Sequence, residues 1–242
     1  MIQTGAMEWR DALFLHWPVE TSALQPLVPP SVTLQTYDGA AWISIVAFVL
    51  AAARPPRVPA VLGFPAFGEI NVRTYVGADG RDGVWFFSLD AGSRLAVEAA
   101  RAATNLPYFR ARVRWQRAND HVQWESERHD RRAPDARFAA DARFGGDVRI
   151  SAPGTLDAFL VERYSLFAVN RRGQTTRIDV RHQPWLLRNA SVTIAANTLL
   201  SAAGIPVGTE PLVHVSPGVS VRSFGPTVLR HGELVEPPSL SR

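Results

Sequence analysis

The sequence predicts an α+β fold, mostly antiparallel β, with the strands closed into a barrel or cone and a few packed helices. Three observations carry this. Many short β-like runs lie between proline and glycine turns, few segments have helical character, and no linker divides the 242 residues. A chain of this length buries a sizeable core, and a single domain over 1–242 is expected, with flexible ends near 1–7 and 226–242.

The turn signals include "PLVPPSV", "RPPRVP", "VGADGRDG", "RFGGD" and "NRRGQT". Between them strands are expected over 32–37, 42–50, 69–76, 84–90, 108–117, 121–128, 164–170, 175–182, 189–194 and 211–221. Residues 69–76 and 84–89 are joined by "GADGRDG", and 164–170 and 175–182 by "RRGQ", so each pair reads as antiparallel neighbours. The apolar run "AAWISIVAFVLAAA" falls short of the about 20 residues that cross a membrane as a helix, and its Trp, Ile, Val and Phe suit a fully buried strand. Helices are expected in three places. "SRLAVEAARAATNL" has Ser93 as N-cap and is stopped by Pro107; "GTLDAFLVERY" starts at Thr155 with Asp157 in its first turn; "AANTLLSAAGIP" ends at Gly204 ahead of Pro206.

The strand "FGEINVRTYV" at 67–76 poses the functional question. Its alternation puts Phe67, Glu69, Asn71, Arg73 and Tyr75 on one face, and Ile70, Val72, Thr74 and Val76 on the other. A polar face on an antiparallel sheet is ordinarily solvated; the alternative is an inward face that lines a cavity. The strand alone leaves both open.

Composition removes much chemistry. Hydrophobic residues make up 46% and charged residues 20%, values of an ordinary globular protein rather than a disordered one. Glu8, Arg10 and Asp11 interrupt the apolar region that a signal peptide would need, so a cytoplasmic location is expected. Without cysteine there are no disulfides, thiolate nucleophiles or thiolate metal sites. Lysine is also absent. All 26 basic residues are arginine, and a guanidinium stays protonated, so only the α-amino group could form a Schiff base. The net charge of +4 comes from arginines interspersed with acids, without the stripe that nucleic-acid binding would need, and "RHDRR" at 128–132 reads as a solvated loop. Phosphate-loop, HExxH and GxSxG signatures are missing and the six histidines are scattered, so neither a metal nor a cofactor is expected.

Several segments together resemble the uncharacterised YqjF-like family, related to acetoacetate decarboxylase: "FLHWPVE", "LVPPSVTLQTYDGAAWISIVAF", "FPAFGEINVRTYV", "GVWFFSLDA", "NLPYFRARV", "GTLDAFLVERYSLF" and "RHQPWLL". The resemblance implies a cone-shaped closed β-barrel of the acetoacetate decarboxylase-like type, with flanking helices and an internal ligand cavity. It also implies that Glu69 is similar to a cavity glutamate that assists chemistry in the decarboxylases, which would turn its face inward. The decarboxylase lysine follows a Gly-x-Pro motif after a helix; in the similar "NLPYFRA", Tyr108 stands in that place. A cavity arginine of the decarboxylases is likewise missing from "FLHWPVE", where His16 and Trp17 are found. Schiff-base decarboxylation therefore does not carry over.

With Glu69 inward, Asn71 and Arg73 share its face, the hairpin partner brings Ser88 and Asp90, and Tyr108 and Arg110 share one face of the next strand. Glu69 and Arg73 would lie roughly 13 Å apart along the strand, so each needs a partner from another strand or from a ligand. Tyr164, His182, Trp185 and His16 complete the expected lining. The leading expectation is a small-molecule protein that binds an oxo or carboxylate compound, with Glu69 and Tyr108 as the catalytic pair and Arg73 or Arg110 holding the anion. Two alternatives remain: a non-catalytic carrier with the same cavity, and a structural module whose barrel is filled by side chains. The expected partner is a small anionic or carbonyl compound, not nucleic acid or membrane, and a homo-oligomer is left open.

Overall fold

The computed structural model describes residues 2–59, 65–206, 208 and 210–229. In chain order the elements are β1 (Gln3–Val19), α1 (Thr21–Leu24), β2 (Thr33–Leu34), β3 (Thr36–Tyr37), β4 (Ala40–Arg54), β5 (Phe67–Ala78), β6 (Arg81–Ala91), α2 (Arg94–Thr104), β7 (Tyr108–Ala118), β8 (His121–Arg128), β9 (Arg137–Arg149), α3 (Leu156–Val161), β10 (Ser165–Val169), β11 (Thr175–Arg181), β12 (Leu187–Asn197), α4 (Leu199–Ala202) and β13 (Leu212–Val228). Of the two ends expected to be loose, residues 3–7 lie in β1 and residues 226–228 in β13, while 230–242 fall outside the described residues. No helix among the described residues is long and apolar enough to cross a membrane.

The strands form one mixed, mostly antiparallel sheet, in which β6 pairs in parallel with both β7 and β10. Its path runs β11-β10-β6-β7-β8-β9-β12-β13-β1-β4-β5-β2, and two further pairings, β5 with β6 and β11 with β13, tie distant parts of that path together. Strands β13, β1, β4, β5 and β6 are thereby common to two circuits of pairings, one through β7, β8, β9 and β12 and the other through β10 and β11. A separate core packs on each face of the shared strands. Ile43, Ile45, Ala47, Ile70 and Val72 join Trp124 and Phe138 on one side, while Val46, Phe48, Leu50, Phe67 and Phe86 join Val97 and Leu160 on the other. Burial on both faces is why the β4 sequence is a continuous apolar run.

Local chemistry explains the joints. The β5–β6 hairpin turns at Asp79 and Gly80, both with positive φ (53° and 64°), the geometry that matches the twist of the strands. Gly83 is required where β10 meets β6, since a Cβ there would lie 2.2 Å from the Ser165 carbonyl oxygen. At α2 the Ser93 hydroxyl accepts the Ala96 N–H at 3.3 Å, and Asn105 closes the helix in the left-handed region, ahead of Pro107. Thr155 caps α3 through the Ala158 N–H, but this helix stops at Val161, short of the expected Tyr164. The helix expected over "AANTLLSAAGIP" is reduced to one turn before Gly204, because residues to Asn197 continue β12.

Two long strands escape the sequence reading. In β1 the register shifts between Arg10 and Leu13, with Asp11 at φ 52°, so Met7 and Trp9 on odd positions and Phe14 on an even one reach the same core. The bulge changes the phase and disguises the alternation. In β9 the inward positions are Phe138, Ala140, Ala142 and Phe144, and alanine carries little strand signal.

Candidate functional site

Glu69, Asn71 and Arg73 project from β5 into a cavity of about 430 Å³, while Ile70 and Val72 between them pack into the opposite core. The polar face of "FGEINVRTYV" therefore looks inward. Aromatic walls come from Trp9 and Phe14 on β1, Phe48 on β4, Phe86 on β6, and Trp185. Helix α2 closes another side with Ala96, Ala99, Ala100 and Ala103, a spacing that places all four on one helical face.

Glu69 is only 2% exposed. Its Oε2 accepts the Tyr108 hydroxyl at 3.2 Å and its Oε1 the Asn71 side-chain N–H at 3.5 Å. Burial raises its pKa to about 7, against the opposing pull of these two hydrogen bonds, and the buried Asp90 adds to the rise. Tyr108 is pushed well above the usual phenol value, first by burial and then by Glu69, so it is a neutral donor. Asn71 leaves its Oδ1 without a partner. Arg73 donates through Nη2 to the Leu160 carbonyl at 3.2 Å, has no partner for Nε, and forms no ion pair among the described residues. Burial pulls its pKa down and Tyr75 pulls it back; the group remains a guanidinium cation.

His182 and Trp185 also line the cavity. The His182 Nδ1–H donates to the Gln183 carbonyl at 2.7 Å, which leaves Nε2 as an unpartnered acceptor, and burial lowers the ring's pKa. Trp185 stacks on Trp9 at 6.1 Å and meets Phe14 edge-on at 5.0 Å, held by its backbone N–H to Glu162 at 2.9 Å. The other oxygen of Glu162 accepts the Tyr164 hydroxyl. Tyr164 itself is 36% exposed and off the cavity; its ring lies 4.7 Å from that of His182, which it supports from behind.

Four further residues expected on the cavity side lie elsewhere. Ser88 turns to the other face of β6, because the register shift opposite Val72 and Arg73 places Phe86 and Leu89, rather than Ser88 and Asp90, on the cavity side. Asp90 instead pairs with Arg128 at 2.8 Å. Arg110 is drawn to Glu98 on α2 at 2.6 Å, so its charge is compensated outside the cavity. His16 is fully buried behind Phe14, with Nδ1 2.7 Å from the Ser44 hydroxyl and 3.2 Å from that of Tyr75, and its ring 5.6 Å from that of His214. Burial, followed by His214 and Arg73, holds the His16 pKa well below the imidazole value. Tyr75, although on the Glu69 face, belongs to this buried group and not to the lining.

The sequence reading missed Trp9, Phe14 and Arg163 as lining residues. The β1 pair was hidden by the bulge. Arg163 braces the fold, donating to the Phe159 carbonyl at 2.6 Å and to Gln35 at 2.8 Å, and it also borders the cavity. Among the described residues no three His, Asp or Glu side chains are grouped so as to hold a metal ion.

Residues 6–220 match the model of DUF2071, a family of uncharacterized conserved proteins. The chain belongs to this family. The uncharacterized protein YqjF of Bacillus subtilis is 42% identical to this DUF2071 chain over 207 residues, which cover 85% of the chain and 84% of YqjF. Among solved structures, the DUF2071 chain is similar in fold to an acetoacetate decarboxylase-like enzyme from Sphingomonas wittichii RW1 (TM-score 0.66, 15% identity, 95% of this chain and 94% of that one). Acetoacetate decarboxylase from Legionella pneumophila (TM-score 0.64, 13% identity, 94% and 87%) has a similar fold. So does the enduracididine biosynthesis enzyme MppR complexed with pyruvate (TM-score 0.64, 11% identity, 94% and 91%). At these identities the likeness is one of fold.

Proposed function

We propose that this DUF2071 protein encloses a small oxo or carboxylate compound in a closed barrel and moves a proton on it through Glu69, without a Schiff base. The observation that carries this reading is the Glu69 carboxyl, buried on a cavity wall, with a phenol and an amide for partners and, among the described residues, no cation bonded to it. The additional β5–β6 and β11–β13 pairings support the barrel. A carboxyl poised at about pH 7 exchanges protons in either direction near neutrality. As carboxylate it takes a proton from carbon next to a carbonyl and the electron pair moves onto the carbonyl oxygen; returning the proton to oxygen completes an enolisation, and returning one to carbon completes a proton exchange. Tyr108 holds Oε2 and fixes the carboxyl's orientation. Arg73, a cavity cation without an acidic partner among the described residues, receives the ligand's anion through charge-assisted hydrogen bonds; Arg54, at the cavity edge, is likewise without one and donates to the Ala52 carbonyl. An open cavity argues against a filled interior. MppR has been seen with pyruvate bound, and a ligand of that chemical type suits this site.

Exchange of the protons flanking the carbonyl of 4-oxopentanoate in D₂O, followed by NMR, tests the reading. The protein is expected to accelerate exchange, and Glu69→Gln to abolish about 100-fold or more of that acceleration. The apolar walls of Trp9, Phe14, Phe48, Phe86 and Trp185 favour a carrier as the second reading, which saturable binding without any exchange would establish.

A further inference from the structure

The cavity is larger than a three- or four-carbon acid requires. Its volume of about 430 Å³ is roughly three times the ~150 Å³ of an apolar cavity that accepts benzene. Its two ends also differ. At one end Arg73 stands opposite Phe86 with Nε unpaired. Toward the other, Glu69 stands opposite Ala91, the last residue before the chain turns into α2. There the wall includes the strip Ala96, Ala99, Ala100 and Ala103, with Ala96 and Ala100 half-buried and Ala99 and Ala103 exposed, and Arg54 also borders the cavity. Asn71 lies between the ends, 2% exposed, with its Oδ1 unpartnered at the cavity wall.

Resting on the binding reading above, we infer that the ligand is a monocarboxylate with a long apolar tail, its carboxylate on Arg73 and its tail along the alanine strip of α2. The Cα atoms of Glu69 and Arg73 are separated by four residues of strand, roughly 13 Å. Glu69 thus meets the ligand several bonds from the carboxylate, beside the tail. A short acid held on Arg73 fills one end and leaves the α2 end empty.

The fluorescence of Trp9 and Trp185, both in the cavity wall, reports binding directly. Titration with butanoate, hexanoate, octanoate and octan-1-ol is expected to show affinity rising about fourfold for each added methylene along the acid series. Octan-1-ol is expected to bind about tenfold or more weakly than octanoate, because it lacks the charge that Arg73 receives. Ala100→Phe, with Ala103→Leu as a milder second variant, should lower the ratio of octanoate to butanoate affinity about tenfold. A flat or falling acid series, equal binding of octanol and octanoate, or no saturable binding of any acid at millimolar concentration overturns the inference. Exchange on 4-oxopentanoate with a flat series sinks this inference alone, whereas a rising series without exchange sinks the catalytic reading alone.

Discussion

The Tyr108 hydroxyl donates to Glu69 Oε2 across 3.2 Å, joining the first residue of β7 to the third of β5 over the intervening β6. This bond works against burial. The phenol stabilises the carboxylate, so Glu69 comes to about 7 as the balance of a large rise from desolvation and a smaller fall from its two donors. Tyr108 gains nothing as a nucleophile from the contact, because the neighbouring carboxylate and its own burial both keep it protonated.

Tyr108→Phe is therefore expected to raise the Glu69 pKa further, by about one unit, the worth of one hydrogen bond to a charged group. The carboxyl titration is measurable by ¹³C NMR on labelled glutamate, and the pH profile of proton exchange should shift upward with it. An unchanged titration would separate Tyr108 from the tuning of Glu69.

For Glu69 itself the folded pKa lies above the ordinary 4.5. The folded state then binds more protons than the unfolded one between those values. Its relative stability is complete below about pH 4.5 and is lost as pH rises through about 7. Glu69→Gln removes this dependence. Relative to the variant, the wild type should lose about 2 to 3 kcal/mol between pH 5 and pH 8, measured by urea unfolding. A difference that stays constant with pH would mean the carboxyl is hydrated.

Much of the polar wall was legible because β5 has no irregularity between Phe67 and Arg73, so alternation alone assigns Glu69, Asn71 and Arg73 to one face. Which face looked inward was not legible from that strand, and the family resemblance supplied the direction. Errors arose where a bulge resets the phase. At Ser88 the register shift turned a correct strand into a wrong facing, and at Asp11 it hid the strand that supplies Trp9 and Phe14. Arg110 failed for another reason. Its face was reasonable, but the partner that captures it, Glu98, comes from a helix whose docking no strand pattern encodes. Likewise His16 is near the cavity in sequence logic and is screened from it by Phe14.

The buried pair of Asp90 and Arg128 sits on the opposite face of the strands that carry the site. Burial raises Asp90 to about 6 although Arg128 opposes the rise. Removing the cation alone leaves an uncompensated buried acid, so Arg128→Met should cost about 3 to 5 kcal/mol near neutral pH. Denaturant unfolding checks it, and a cost below about 1 kcal/mol, usual for exposed pairs, would show that water reaches Asp90.

Lysine's absence makes one chemical outcome sharp. An imine needs a neutral amine, and the described cavity offers guanidinium, imidazole, amide, phenol and carboxyl groups. Tyr108, in the position where the decarboxylase resemblance would place the amine, is locked as a hydrogen-bond donor to Glu69. Borohydride reduction in the presence of acetoacetate should therefore leave every internal residue unmodified, with any adduct confined to the α-amino group. Intact mass followed by peptide mapping reads this out. A reduced adduct mapped to an internal position would require a nucleophile that this sequence does not contain, and would replace proton transfer by Glu69 with covalent catalysis as the chemistry to explain.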